Sequence, residues 1–445
     1  MHYSQNLSSH HFLGYKSCFT HICLILCVYD HSVADFRLSK MSYNSYNNGE
    51  TDDILLACNE IRSYKGQYKI FQKRLQLLQK YIPTNYSSKF RNPCWYDFHP
   101  TPNSQDSREM YLLHKEKFKQ VIGSCDTPLS YSPSLAKNVL EQAAEISSKK
   151  QLHCLPSFFL SGFPKCASTA LYTMIVQHPQ IAQPRCRETH FWAQFVSQKG
   201  SDLDKELQIL QYLSYFSPSI DTIKSNHRNI ALDASVTYHI WNSESDYCVL
   251  PTLLMRVLPE TKFIVIMRNP SDRVFSHYFY YLRREYASAT KYLAYVNSSA
   301  ALEVFHYHAC DVIKRFQSCM DSGHSTSSCV RSKTIDGKTT QRNGHVGLQN
   351  SMYYYHIVPW LNIFPRERFL FLRTEDLAHN QSLTMSKVWH FLELEDFSKT
   401  KEVFAKVNKH ATVPLHTREL LDTFFQPHNE LLANLLSDSI FLWKD

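Results

Sequence analysis

Apolar residues between Ile54 and Ile82 recur at helical intervals, with Phe71, Leu75, Leu78 and Ile82 on one stripe, which predicts an amphipathic helix. Lys40–Asp53, KMSYNSYNNGETDD, has no such period and reads as a flexible polar stem. RNPCWYDFHPTPNSQ is Pro-rich and reads as loop, while Glu109–Ile122 and Ser134–Lys149 return to helical spacing. After Pro156 the texture changes. SFFLSG, NIALDAS, KFIVIMR and RFLFLRTEDL read as strands, and KFIVIMR is almost continuously apolar, as a sheet covered on both faces requires. STALYTMIVQHP reads as a helix ending at Pro179. Strands followed by helices predict a three-layer α/β domain with a mainly parallel sheet. The chain therefore divides into an amino-terminal segment and stem (1–53), a helical extension with a Pro-rich loop (54–150) and the α/β domain (151–445).

One apolar run near the start, CFTHICLILCVY (Cys18–Tyr29), falls short of the roughly 20 residues that span a bilayer and contains His21. It suits a signal-peptide core or a weak signal anchor, so membrane anchoring through the amino terminus stays open. Hydrophobic residues at 43% and charged residues at 20% describe a globular protein, not a disordered or collagenous one. A net charge of +8 favours acidic partners, whether nucleic acid, membrane surface or anionic polysaccharide. No run of five Lys/Arg occurs, so a basic nucleic-acid arm is not expected.

Thirteen cysteines are many for a reducing compartment, and none has the paired CxxC spacing of a structural zinc site. CMDSGHSTSSC sets Cys319 and Cys329 across a polar loop that suits a disulfide hairpin. Cys94 and Cys154 are candidates for a second bridge, tying the amino-terminal segment to the α/β domain. Asn-X-Ser sequons at Asn6, Asn85, Asn297 and Asn380 permit a secretory location.

Candidate chemistry begins at FLSGFPKCASTAL (Phe159–Leu171), an apolar run, a tight turn and a helix start. A Walker loop would place Gly-Lys-Ser/Thr where Ala167, Ser168 and Thr169 stand; here the lysine, Lys165, comes three residues before Ser168. The strand–loop–helix physics still collects a phosphate, through free N–H groups and the positive helix end. The magnesium and γ-phosphate arrangement is missing, so this loop is not built for ATP hydrolysis. A lysine placed early in the turn can instead reach past a 5′-phosphate to the bond that joins it to a transferable group.

PKCASTAL resembles the 5′-phosphosulfate loop of the sulfotransferase superfamily, usually PKxGTTxL, with Ala167 for glycine and Ser168 for threonine. The donor in that superfamily is 3′-phosphoadenosine 5′-phosphosulfate (PAPS), with PAP as product, and the resemblance makes Lys165, Cys166, Ala167, Ser168, Thr169 and Ala170 its 5′ contacts. KFIVIMRNPSDRVFSHYFYY resembles the 3′-phosphate motif RxPxxRxxSxY through Arg268, Pro270, Arg273, Ser276 and Tyr278. Arg268 offers a planar fork and Ser276 a donor near a helix start, whereas Arg273 is expected to hold the loop. Between the two motifs, RCRETHFWAQF resembles the Lys-Glu-x-x-Phe/Trp segment, giving Glu188 as the acceptor's general base, His190 beside it and Arg187 for the lysine.

From about Arg91 onward the chain resembles the carbohydrate sulfotransferases that 6-O-sulfate N-acetylgalactosamine 4-sulfate, through NPCWYD, LHCLPSFFLSGFPKC, DASVTYHIWN and FQSCMDSGHSTSSCV. The resemblance implies a P-loop-like sulfotransferase fold, a chondroitin or dermatan sulfate acceptor, no metal requirement, and a Golgi-lumen type II membrane enzyme. Asp233 stands where relatives usually carry Glu, and with Arg187 it lies where an acceptor would be selected, while Ser235 is a candidate for the lining of the donor or acceptor cleft. Two rivals are a nucleotide kinase with a degenerate P-loop, against which the missing Gly-Lys-Ser/Thr counts, and a non-catalytic glycan-binding relative, against which the intact Lys165, Glu188, Arg268 and Ser276 count.

Overall fold

The computed structural model describes residues 64–97, 151–197, 202–240, 247–285, 295, 298–336, 346–398 and 412–444. All of them fall within one compact unit, Thr51–Asp445. A five-stranded sheet in the order β4-β5-β3-β6-β7 forms its centre. The strands are β3 (Phe158–Leu160), β4 (Ile181–Ala182), β5 (Ile230–Asp233), β6 (Lys262–Met267) and β7 (Phe369–Arg373), and neighbours in the sheet run parallel. The near-continuous apolar runs are explained by burial on both faces: all of β3 and β5, and Phe263 to Met267 of β6, are buried.

Helices flank the strands in chain order. They are α1 (Tyr64–Gln79), α2 (Ser168–Ile175), α3 (Phe191–Ser197), α4 (Asp202–Tyr215), α5 (Ser217–Ser225), α6 (Val249–Val257), α7 (Pro270–Glu285), α8 (Ser299–Asp321), α9 (Thr326–Arg331), α10 (Lys333–Asp336), α11 (Tyr353–Leu361), α12 (Thr374–His379), α13 (Gln381–Phe391) and α14 (Leu415–Leu436). From β3 the chain crosses to β4 and β5 on one side, then passes to β6 on the other. The strand order reverses between β3 and β6, so the loops leaving their carboxyl ends flank a topological switch point, where open α/β sheets bind ligands.

The four expected strands are present, with the two-residue β4 an addition too short for a sequence period to reveal. Helix α1 occupies Tyr64–Gln79 of the expected Ile54–Ile82, burying Phe71, Leu77 and Leu78. Helix α2 stops at Ile175 rather than at Pro179; Val176 caps it and a turn carries the chain into the proline. The Pro-rich segment expected as loop contains a strand, β1 (Cys94–Asp97), which pairs antiparallel with β2 (Gln151–Cys154). Cys94 stands opposite Cys154 in that register, and the two are disulfide-bonded. Long-range pairing overrode local composition there. The apolar run Cys18–Tyr29, the polar stem and the segments Glu109–Ile122 and Ser134–Lys149 lie outside the described residues. Among the described residues no helix is long and apolar enough to cross a membrane.

Two cores result. One surrounds the sheet, and a second, built from Val274, Phe275, Tyr278, Phe279, Phe305, Ala309 and Phe425, joins α7, α8 and α14. The second core fixes α7, which begins at the 3′ motif. Cys319 at the end of α8 is disulfide-bonded to Cys329 in α9, the hairpin bridge expected from the spacing.

Candidate active site

The loop from β3 to α2 is laced to β6: Ser161 N–H donates to Ile264 O (3.0 Å) and Phe163 N–H to Ile266 O (3.1 Å). A Cβ at Gly162 would run into the Ile266 backbone, overlapping its nitrogen and coming within 2.9 Å of its carbonyl oxygen, so only glycine fits. The turn then enters the left-handed region twice, at Lys165 (φ 72°) and at Ala167 (φ 58°), the N-cap of α2. Ala167 makes no side-chain cap, so the first-turn N–H groups of α2 have no side chain of the cap residue to bond. The left-handed turn explains the glycine usual at this position, since an L-residue there costs on the order of 1 kcal/mol. Ser168 and Ala170 are buried, Thr169 is exposed, and Cys166 is fully buried with its sulfur 3.6 Å from the Tyr353 hydroxyl. Burial pushes the Cys166 thiol up to about 11, which makes it a packing wedge rather than a nucleophile.

Lys165 is half-buried and makes no hydrogen bond or ion pair with a described residue; its Nζ lies 3.9 Å from the centroid of the Tyr280 ring. Burial, then the charges of Arg273 and Arg268, lower its pKa to about 8. Cations gathered this closely favour a negative charge among them.

Arg268 follows β6 directly, and its guanidinium makes no hydrogen bond or ion pair with a described residue. Its backbone is fixed by the Tyr353 hydroxyl, which donates to Arg268 O at 2.8 Å. Asn269 caps α7 by accepting from Ser271 N–H (3.0 Å), and Pro270 stands at the first helical position. Ser276 lies in the second turn of α7, 3% exposed, one residue from the buried Phe275 and Tyr278 layer. Arg273 is fully buried and donates from Nη1 to Gly347 O (3.1 Å) and Ser351 Oγ (2.9 Å). That is a loop-holding arrangement.

The turn before α3 brings Glu188 to the same loop. Arg187 donates from Nη1 to Thr169 Oγ1 (2.8 Å) and pairs through Nη2 with the Glu188 carboxylate. His190 Nε2 lies 3.5 Å from Glu188 Oε2, and its Nδ1 is 2.8 Å from Thr237 Oγ1. Burial, then the Arg187 charge, lower the His190 pKa, so the ring is neutral at pH 7. Ser235, the candidate for the donor or acceptor cleft, is fully buried beneath this turn. Its Oγ accepts from the backbone N–H of both Thr189 and His190 at 2.9 Å and donates to Asp233 Oδ1 at 2.5 Å. It positions the turn instead of lining the surface.

Sequence reasoning missed the centre of that support. Asp233, at the end of β5, accepts from Thr189 (2.9 Å), Tyr212 (3.2 Å) and Tyr238 (2.7 Å) as well as from Ser235. Burial raises its pKa against the lowering effect of those bonds. Asp233 is therefore a buried hub, which removes it from direct acceptor contact. Tyr280 was also missed, although a signal existed: it follows Ser276 by four residues and shares its helix face.

Two loops at a switch point, one opening a helix and one following a strand end, with a carboxylate-bearing turn between them, form an arrangement suited to an anionic ligand. Residues 155–415 match the sulfotransferase domain, and the chain belongs to that family. It is 24% identical to carbohydrate sulfotransferase 15 of Mus musculus and 26% identical to that of Rattus norvegicus, each over 404 residues. These alignments cover 82% of this chain and 66% of the relatives' length, so the chain spans just under two thirds of them. It is also 20% identical to the membrane-associated sulfotransferase kil1 of Dictyostelium discoideum, over 71% of this chain and 73% of that protein.

Proposed function

We propose that this chain transfers a sulfonate group from PAPS to a hydroxyl of a sulfated glycosaminoglycan, at C6 of N-acetylgalactosamine 4-sulfate in chondroitin or dermatan sulfate. The observation that carries the reading is Lys165: half-buried, without a carboxylate partner among the described residues, beside Arg268 and Arg273, in the loop that opens α2. These residues fit an anionic donor, because the loop supplies N–H groups and a helix end on one side and the Arg268 guanidinium, unpaired among the described residues, on the other. When bound, PAPS supplies an activated sulfonate whose leaving group is the 5′-phosphate of PAP.

In this reading Ser168 and Thr169, with the backbone of Cys166, Ala167 and Ala170, hold the 5′ end, and Arg268 and Ser276 hold the 3′-phosphate. Lys165, mostly charged at pH 7, places its positive charge where the departing phosphate gains negative charge. Glu188 takes the proton of the attacking sugar hydroxyl. Neutral His190 and Arg187 orient that carboxylate through the contacts described above. The relatives of the carbohydrate sulfotransferase 15 type support the glycan acceptor. The disulfides Cys94–Cys154 and Cys319–Cys329, together with the disulfide-bonded Cys186 and Cys248, support an oxidising compartment; a Golgi lumen suits them and the resemblance.

The test is transfer of labelled sulfate from PAPS to chondroitin, desulfated and 4-sulfated, followed by disaccharide analysis of the product. Lys165→Ala and Glu188→Gln are expected to lower kcat by about 10²–10⁴. Turnover retained in both variants would overturn the assignment of roles.

A further inference from the structure

The ring against the catalytic lysine has no part in the roles assigned so far. Tyr280 lies on α7 one turn beyond Ser276, and the Lys165 Nζ rests 3.9 Å from its ring centroid. In the reading above this amine serves the bridging oxygen, so a ring within its reach stands near the group that receives the sulfonate. It is also open to solvent: Tyr280 is 44% exposed and its neighbour Tyr281 39%, on a helix whose other face is buried in the second core. Arg283, exposed and three residues further along the same face, is close enough for its charge to act on Lys165.

We infer that Tyr280 and Arg283 form an acceptor subsite, in which the Tyr280 ring stacks on the C–H face of a pyranose and Arg283 binds an anionic substituent of the same chain. The inference rests on the sulfotransferase reading above and deepens it. An aromatic face offers apolar area with little side-chain entropy to lose, which suits the flat C–H face of a sugar. A guanidinium matches sulfate and carboxylate alike through its planar fork, whereas a lysine would act as a point charge. Before the acceptor arrives, the Lys165 ammonium covers the same ring through a cation–π contact. Once Lys165 turns to the donor phosphate, the ring face is uncovered for the sugar. This order of events makes Tyr280 an acceptor-binding residue that responds to the donor.

The experiment uses the full chain with saturating PAPS and chondroitin 4-sulfate as acceptor. Tyr280→Ala is expected to raise the acceptor KM at least tenfold, and Tyr280→Phe to leave it within twofold. Both variants keep the thermal stabilisation given by PAP. Calorimetric titration of chondroitin 4-sulfate oligosaccharides into the PAP-bound protein shows the same loss without turnover. An unchanged KM in Tyr280→Ala, or a loss of PAP stabilisation matching the loss of acceptor affinity, would overturn the subsite. Arg283→Ala is compared on 4-sulfated, desulfated and carboxyl-reduced chains. A penalty that vanishes on desulfation assigns the contact to sulfate, one that vanishes on carboxyl reduction assigns it to the uronate, and one that survives both overturns the role of Arg283. Should the wild-type chain transfer no sulfonate at all, the functional reading fails, while the titration still decides the glycan subsite separately.

Discussion

Lys165 concentrates the electrostatics of the site in one side chain. Its pKa is lowered to about 8 from 10.5, first by burial and then by Arg273 and Arg268. A lysine whose folded pKa is depressed binds fewer protons folded than unfolded between those two values, so the free protein gains stability as pH rises from about 8 and carries the full cost below it. A bound anion reverses the balance, because it favours the ammonium and draws a proton onto Lys165. PAP affinity is therefore expected to be flat below about pH 7.5 and to fall as pH rises above about 8. Calorimetry across pH 6.5–9.5 checks this, and Lys165→Gln should flatten the profile. A wild-type profile that stays level through pH 9 would mean that the lysine does not meet the phosphate. Neighbouring Ala167 and His190 share a left-handed backbone with Lys165 (φ 58°, 51° and 72°), a cluster of strained positions at the place assigned to chemistry.

At the scale of elements, the site depends on how one strand end carries a turn from elsewhere in the chain. The segment after β5 reaches beneath the turn before α3, and Ser235 satisfies two of its backbone N–H groups while bonding Asp233. Ser235→Ala leaves those two part-buried donors without their partner, which is expected to cost about 2 kcal/mol. Urea unfolding measures that loss. The accompanying kinetic signature is a lower kcat with an unchanged KM for PAPS, since Glu188 loses its placement while the 5′ loop keeps its own. A change confined to stability would make Ser235 structural only. The loops at β3 and β6 were legible in the sequence because each loop's work is done by residues adjacent to one another along the chain. The Asp233 hub was not, since Thr189, Tyr212 and Tyr238 meet it only after α3, α4 and β5 have packed.

Over the whole molecule, covalent links hold what the sheet alone does not. Cys94–Cys154 fixes β1 against β2 across a separation of 60 residues, and Cys319–Cys329 closes a loop of 10. In the chain-entropy account these contribute about 4 and about 3 kcal/mol respectively. Cys94→Ser is therefore expected to lower the unfolding free energy more than Cys319→Ser, and reduction by dithiothreitol to exceed either. Chemical denaturation of the three forms gives the comparison; equal losses would show that loop length does not set the effect. The sequence suggested both bridges but hid β1, because a short Cys-Trp-Tyr-Asp run between prolines has the composition of a loop and becomes a strand only by pairing with β2.

What the amino-acid order determined by itself is local: the apolar strand segments, and the lysine, arginine and carboxylate carried on three short motifs. What the tertiary structure decided is which side chains face one another. It moved Ser235 and Asp233 from the acceptor into a buried support, gave α7 its second core, and laid Tyr280 against Lys165. The physical reason is that backbone preference and charge act between neighbours along the chain, whereas burial and hydrogen-bond satisfaction are settled only when distant elements close over one another.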